Sequence, residues 1–167
     1  MLCDGLVIAP STPADEAAIF DVERDAFGRD DEARLALALM AAPAWTLSVV
    51  ARRRDRVIGH VLLTEIGAPV RAAALAPLAV AAPYREMQVG SRLVADALER
   101  ARQAGFEAVF VLGDNLYYER FGFSAALATP FAVEWQGPHF MALELVPGAL
   151  AGKAGRLDYP PAFFAAA

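Results

Sequence analysis

The scarcities of this chain narrow its reading first. Among 167 residues there is one cysteine, Cys3. A lone thiol cannot form an intramolecular disulfide, which fits a reducing cytoplasm. No His stands nearby in sequence to activate it, so Cys3 reads as a structural or incidental thiol. No uninterrupted apolar run approaches the roughly 20 residues of a membrane span. The N-terminal MLCDGLVIAPSTPADE lacks a basic segment followed by a long apolar one, so no secretory signal is expected. Positive charge is also short, with 15 Lys and Arg against 20 Asp and Glu for a net charge of −5. That argues against broad electrostatic binding to nucleic acid. The run Arg52-Arg53-Arg54-Asp55-Arg56 lies between two apolar stretches and reads as a solvated hairpin turn. His, Cys, Asp and Glu show no clustered spacing for a metal, and no G-x-S-x-G stands out.

What is present is apolar: 57% of the residues are hydrophobic. A chain of this length and composition is expected to fold as one domain over 1–167 with a substantial core. Residues 6–9 read as a strand. Thr12-Pro13-Ala14-Asp15 supplies a capping hydroxyl, a first-turn Pro and an acid, so a helix is expected over 13–27. A second helix is expected over 31–41, with Asp30 as its cap and Pro43 as its stop. Strands follow at 47–51, 57–65 and 72–80. The clearest helix covers 89–104, where Val89, Leu93, Val94, Ala97, Leu98 and Ala101 form one stripe and Gly105 terminates it. AVFVL at 108–112 is apolar on both parities, as in a strand covered on both faces. A short helix over 116–120 and strands at 131–135 and 140–145 complete the pattern. The path of the tail after Pro147 is not legible. The order β-α-α-β-β-β-α-β-α-β-β calls for an α/β (α+β) fold, a central mixed sheet with helices on its faces.

The segment Leu75–Phe123 carries the most information. An apolar strand runs into a turn and then a helix start, where orphan amides and the positive end of the helix dipole suit an anion. With PLAV before the turn and YYERFGF after the next strand, this segment resembles the GNAT superfamily of acetyl-CoA-dependent N-acetyltransferases. The likeness covers nearly the whole chain. Gly113-Asp114, Tyr117-Tyr118 and Arg120-Phe121-Gly122-Phe123, with the FMALEL-x-PGAL ending, resemble a bacterial subgroup of predicted acetyltransferases.

The resemblance implies the GNAT fold, mostly antiparallel in its sheet, and acetyl-CoA as co-substrate without a metal. Family members usually carry Q/R-x-x-G-x-G/A at the turn, and here Arg85-Glu86-Met87-Gln88-Val89-Gly90 stands in its place. Arg85 and Gly90 match, while Gln88 replaces the middle glycine. A side chain forced into left-handed geometry costs about 1–2 kcal/mol, which Gln88 avoids if its backbone stays right-handed. By this likeness the pyrophosphate lies on the amides of Arg85, Glu86, Met87, Gln88, Val89, Gly90 and Ser91. The pantetheine arm then pairs with the backbone of Leu78, Ala79 and Val80. Arg92 reads equally as a phosphate contact or a solvated charge.

Acetyl transfer from a thioester needs a neutral amine, a polarised carbonyl and a proton for the departing thiolate. The resemblance puts Tyr118 in the acid's position. Its neighbour Tyr117 would point about 100° away on a helix and is expected to be packing. No general base identifies itself. Glu23, Glu65 and Asp114 are candidates that read as solvated charges, His60 as a satisfied structural histidine, and His139 has no visible partner. The acceptor would be a small-molecule or protein amine. The oligomeric state stays open, a homodimer among the options. The competing reading is a GNAT-fold module that binds coenzyme A or acyl-CoA but has lost efficient transfer.

Overall fold

Alternating apolar residues build the sheet, and a helical stripe builds the layer that covers its first face. The computed structural model describes residues 3–165. Its strands are β1 (Leu6–Pro10), β2 (Thr46–Arg53), β3 (Arg56–Ile66), β4 (Ala72–Val80), β5 (Ala108–Leu112), β6 (Phe131–Ala132), β7 (Phe140–Glu144) and β8 (Gly155–Arg156). Six of them form one sheet in the order β1-β2-β3-β4-β5-β7. Every pairing in it is antiparallel except β4 with β5. This is the mixed, mostly antiparallel sheet that the resemblance implies.

The longest helix, α3 (Val89–Gln103), buries all six residues of its expected stripe. Leu93, Val94 and Ala97 pack with Val61 and Leu63 of β3 and Val109 of β5. Each large side chain in such a layer contributes about 1.5–3 kcal/mol through burial. The helix closes where Gly105 takes φ 92°. There the Phe106 N–H donates to the Ala101 carbonyl at 3.0 Å, as in a glycine-terminated helix end.

The opposite face carries α1 (Glu16–Phe27), α2 (Asp31–Ala41) and the C-terminal segment. The helix expected from residue 13 begins as a tighter 3₁₀ turn, Pro13–Asp15, where the Asp15 carboxylate accepts from the Thr12 N–H at 2.8 Å. The Arg52–Arg56 run is a hairpin turn as expected, with Arg54 and Asp55 at its left-handed corner. Arg52, however, reaches the Asp15 carboxylate at 2.5 Å instead of standing free in solvent.

One expected strand is corrected. Residues 131–135 do not join the main sheet: only Phe131–Ala132 is extended, and it pairs in parallel with β8. The alternation that suggested a longer strand has another cause. Phe131, Val133 and Trp135 pack with Leu157 and Tyr159 of the returning tail, while the outer edge of β7 is held by a bridge from Ser124 to Ala142. The tail itself crosses the sheet end through a Gly67–Asp158 bridge and lays Phe163 beside Leu39 of α2.

Candidate active site

The site begins where two strands stop pairing. β4 and β5 are joined only at Ala72–Ala74 and Ala108–Phe110. Beyond Ala74 the register of β4 against β3 shifts between Val61 and Leu63. Pro77 sits there without an N–H to give, as proline does within sheets at bulges. The strands part around a cleft of about 500 Å³. Leu75–Leu78 and Val111–Asp114 line its two sides, together with Tyr118. Phe27, Glu32 and Leu35 close it from the α1–α2 side, and Trp135 closes it from the opposite side with Tyr159 and Phe163 of the tail.

β4 leads through a short turn, Ala82–Tyr84, into the segment before α3. Glu86 and Gln88 both take left-handed angles, φ 66° and 62°. The condition under which Gln88 would escape left-handed strain is not met: it caps α3 at φ 62°, ψ 16° and carries a Cβ where glycine would be unstrained. The Arg85 N–H donates to the Ala82 carbonyl and the Met87 N–H to the Tyr84 carbonyl. Among the described residues the N–H groups of Glu86, Gln88, Val89, Gly90 and Ser91 have no backbone acceptor. Alternating handedness next to a helix start gathers such amides into a concavity for an anion.

A second hollow of about 400 Å³ opens over this turn, bounded by Val80, Tyr84, Gln88, Gly90, Tyr117 and Arg120 among others. Gly90 is needed there for space. A Cβ on it would lie 2.5 Å from the Tyr117 hydroxyl. The Arg85 guanidinium turns back onto the carbonyls of Val80 and Ala26, at 3.3 and 3.2 Å. Arg120 stacks over the Tyr117 ring at 4.2 Å and is the cation that the motif reading missed. Leu78 lines the cleft and Val80 the hollow, while Ala79 is buried opposite His60. Arg92 is exposed and lines neither.

The two adjacent tyrosines serve different spaces. α4 (Asn115–Glu119) starts at Asp114, whose carboxylate accepts from the Leu116 N–H at 3.0 Å. From this helix Tyr117 points to the amide turn and Tyr118 to the cleft. The Tyr118 ring is 9% exposed and packs edge-on to Phe123 at 5.7 Å. Gly113 makes room for it, since a Cβ there would stand 2.6 Å from the ring. Burial, with the nearby Tyr117 and Asp114, raises the Tyr118 phenol well above its ordinary value. It stays protonated at neutral pH.

Among the charged candidates, Glu23 overturns its reading as a solvated charge. It is fully buried on α1, with Oε2 2.6 Å from His60 Nδ1 and Oε1 without a partner. His60 Nε2 lies 2.9 Å from the Ser48 hydroxyl, which meets the Ser11 hydroxyl at 2.7 Å. Burial pushes Glu23 up to about 9 and His60 down to about 3, so the pair carries no net charge near neutrality. The signal was present in the sequence: Glu23 lies four residues after the buried Ile19, and His60 shares the parity of Leu62. Glu65 faces Arg71 at the sheet end. His139 meets the Asn115 side chain at 2.5 Å and ties α4 to the start of β7. Asp114 alone of the expected carboxylates lines the cleft, joined there by Glu32, which the sequence reading did not single out. Arg29 holds Glu32 below the usual carboxylate range, so Glu32 stays ionised. Among the described residues no group of three or more His, Cys, Asp or Glu is placed to hold a metal, and no helix is long and apolar enough to cross a membrane.

Comparison with known proteins places this geometry. The model of the acetyltransferase (GNAT) family matches residues 16–123. The uncharacterized N-acetyltransferase YhbS of Escherichia coli K12 is 32% identical over 160 residues, 92% of this chain and 96% of YhbS. YjhQ of the same organism, also an uncharacterized N-acetyltransferase, is 41% identical over 120 residues. That match spans 66% of this chain and 65% of YjhQ. The crystal structure of Escherichia coli YhbS in complex with CoA superposes with a TM-score of 0.90 at 31% identity, over 95% of this chain and 92% of that one. A GNAT family acetyltransferase from Brucella melitensis in complex with acetyl-CoA gives 0.80 at 29% identity, over 95% and 97%. The family model and the YhbS match agree with the fold: this chain belongs to the GNAT family of acetyltransferases.

Proposed function

We propose that this protein transfers the acetyl group of acetyl-CoA directly to a primary amine, both substrates being bound together and no covalent enzyme intermediate forming. The observation that carries this reading is the position of Tyr118, whose ring lines the gap between β4 and β5. The open amides of Glu86 and Gln88–Ser91 support seating the pyrophosphate at the start of α3. Tyr117 and Arg120 bound that seat on its far side. The unpaired edge of β4 from Leu75 to Val80 is free to take the pantetheine arm as a strand-like partner.

The chemistry then needs little from side chains. The neutral amine attacks the thioester carbonyl carbon, forming the C–N bond and placing charge on the oxygen. As the intermediate collapses, the C–S bond breaks and its electron pair leaves on sulfur. Tyr118 donates its phenolic proton to that sulfur. The proton shed by the nitrogen passes to water at the cleft mouth, from which the phenolate is restored. A protonated phenol lining the cleft favours this reading over a module that binds coenzyme A without transfer.

Titration with acetyl-CoA followed by an amine panel, read by release of free thiol, tests the reading. Saturable binding with amine-dependent thiol release is expected. Binding with no release across the panel would reduce the protein to a coenzyme A binder.

A further inference from the structure

The acceptor end of the cleft has walls of one chemical kind. Phe27, Phe110, Trp135, Tyr159 and Phe163 contribute aromatic surface. Trp135 and Tyr159 meet edge-to-face at 4.8 Å, and Tyr159 meets Phe163 the same way at 5.0 Å, which fixes a rigid corner. Among the described residues the charged side chains that line the cleft are Glu32 and Asp114, both acids, with no Lys, Arg or His beside them. The Arg29 guanidinium beside Glu32 is already spent in a two-pronged pair with it at 2.6 and 3.0 Å. Asp114 gives one oxygen to the Leu116 N–H and has no ion-pair partner among the described residues.

We infer that the acceptor is a primary amine carried on a flat apolar body, such as an arylalkylamine, with no carboxylate or phosphate of its own. This rests on the acetyl-transfer reading of the same cleft. An incoming ammonium is drawn by the Asp114 carboxylate, which has no ion-pair partner among the described residues, and by the faces of the aromatic rings. The apolar body displaces water from the Trp135–Tyr159–Phe163 corner. An acidic group on the acceptor would be desolvated beside like charge with no cation to match it. A long polycation such as spermidine would leave the corner unfilled while burying further charges.

The test uses the full chain saturated with CoA, which binds without reacting. Calorimetric titration compares 2-phenylethylamine with phenylalanine, which adds only a carboxylate, and with spermidine. Phenylethylamine is expected to bind about tenfold or more tightly than either. Trp135→Ala should erase most of that preference while leaving CoA affinity unchanged. Asp114→Asn keeps a helix-capping side chain and should weaken phenylethylamine while narrowing its margin over phenylalanine. Equal or tighter binding of phenylalanine or spermidine, or no amine binding to the CoA-loaded chain, overturns the acceptor class. Repeating the panel with acetyl-CoA separates the two readings. Tight phenylethylamine binding without thiol release keeps the class and sinks transfer; preferential turnover of spermidine or phenylalanine keeps transfer and sinks the class.

Discussion

The hollow over the amide turn and the acceptor end of the cleft are built by opposite means. The first is almost contiguous in sequence, its floor being Arg85–Ser91 with Tyr117 and Arg120 leaning in from one short helix. Its floor offers open backbone amides, and Gly90 leaves room there for the Tyr117 hydroxyl. The second gathers Phe27 and Glu32 from one end of the chain and Trp135, Tyr159 and Phe163 from the other. Its character depends on side chains, and no short stretch encodes it. A common co-substrate suits the first kind of site, and a particular acceptor suits the second. Tyr118 belongs to the cleft, and its neighbour Tyr117 to the hollow.

The sharpest way to break that division is at Tyr118. Replacement by Phe keeps the ring packed against Phe123 and removes only the donor. A loss of roughly 10²-fold in kcat is expected, with acetyl-CoA affinity and Tm nearly unchanged and Tyr117→Phe far milder. Because burial raises the Tyr118 phenol above its ordinary 10.0, the pH–rate profile should show no falling limb from this group up to about pH 10. Equal activity in wild type and variant, with a turned-over amine, would remove Tyr118 from the mechanism.

Behind the acceptor wall, the Glu23–His60 pair should shape stability without touching co-substrate binding. Glu23 is raised from 4.5 to about 9, so its contribution is full below pH 4.5 and is lost as pH climbs toward 9. His60 is lowered from 6.5 to about 3, so its contribution is full above pH 6.5 and is lost as pH falls toward 3. The two slopes cancel between pH 4.5 and 6.5. Denaturant midpoints should therefore fall as pH rises on the alkaline side of pH 6.5. Glu23→Gln should flatten that arm and leave acetyl-CoA affinity alone. An unchanged alkaline slope in the variant would mean that this carboxyl does not titrate late.

The smallest effect is expected at the turn. Gln88→Gly relieves a left-handed residue and should tighten acetyl-CoA by on the order of 1 kcal/mol or less. Weaker binding instead would show that the Gln88 side chain makes a contact of its own, and the backbone account of that hollow would have to be given up.

Local pattern carried most of the architecture. The α3 stripe, the Arg52–Arg56 hairpin and the short helix α4 are set by neighbours within a few positions, and all were legible, though the Asp114 cap of α4 was not read. Phe131–Trp135 misled because alternating burial was read as sheet pairing, when a returning tail supplied the cover. Glu23 misled for a related reason. A charge on a helix is ordinarily solvated, and only its register with Ile19, set against the parity of His60 on β3, marks the two as buried partners. The acceptor wall had no local signature, since its parts lie more than a hundred residues apart.

The parted strands have a further consequence, for self-association. An unpaired strand edge invites another chain to add to it, and here β4 and β5 each keep one beyond Ala74 and Phe110. Both edges face inward across the same cleft, and Pro77 removes a donor from one of them. Side chains of α1–α2 and of the Trp135–Phe163 side flank these edges and crowd the space a whole second sheet would need. The tail is thus a guard on an internal seam, and a chain that loses it is expected to become sticky along the very edges that leave room for a substrate.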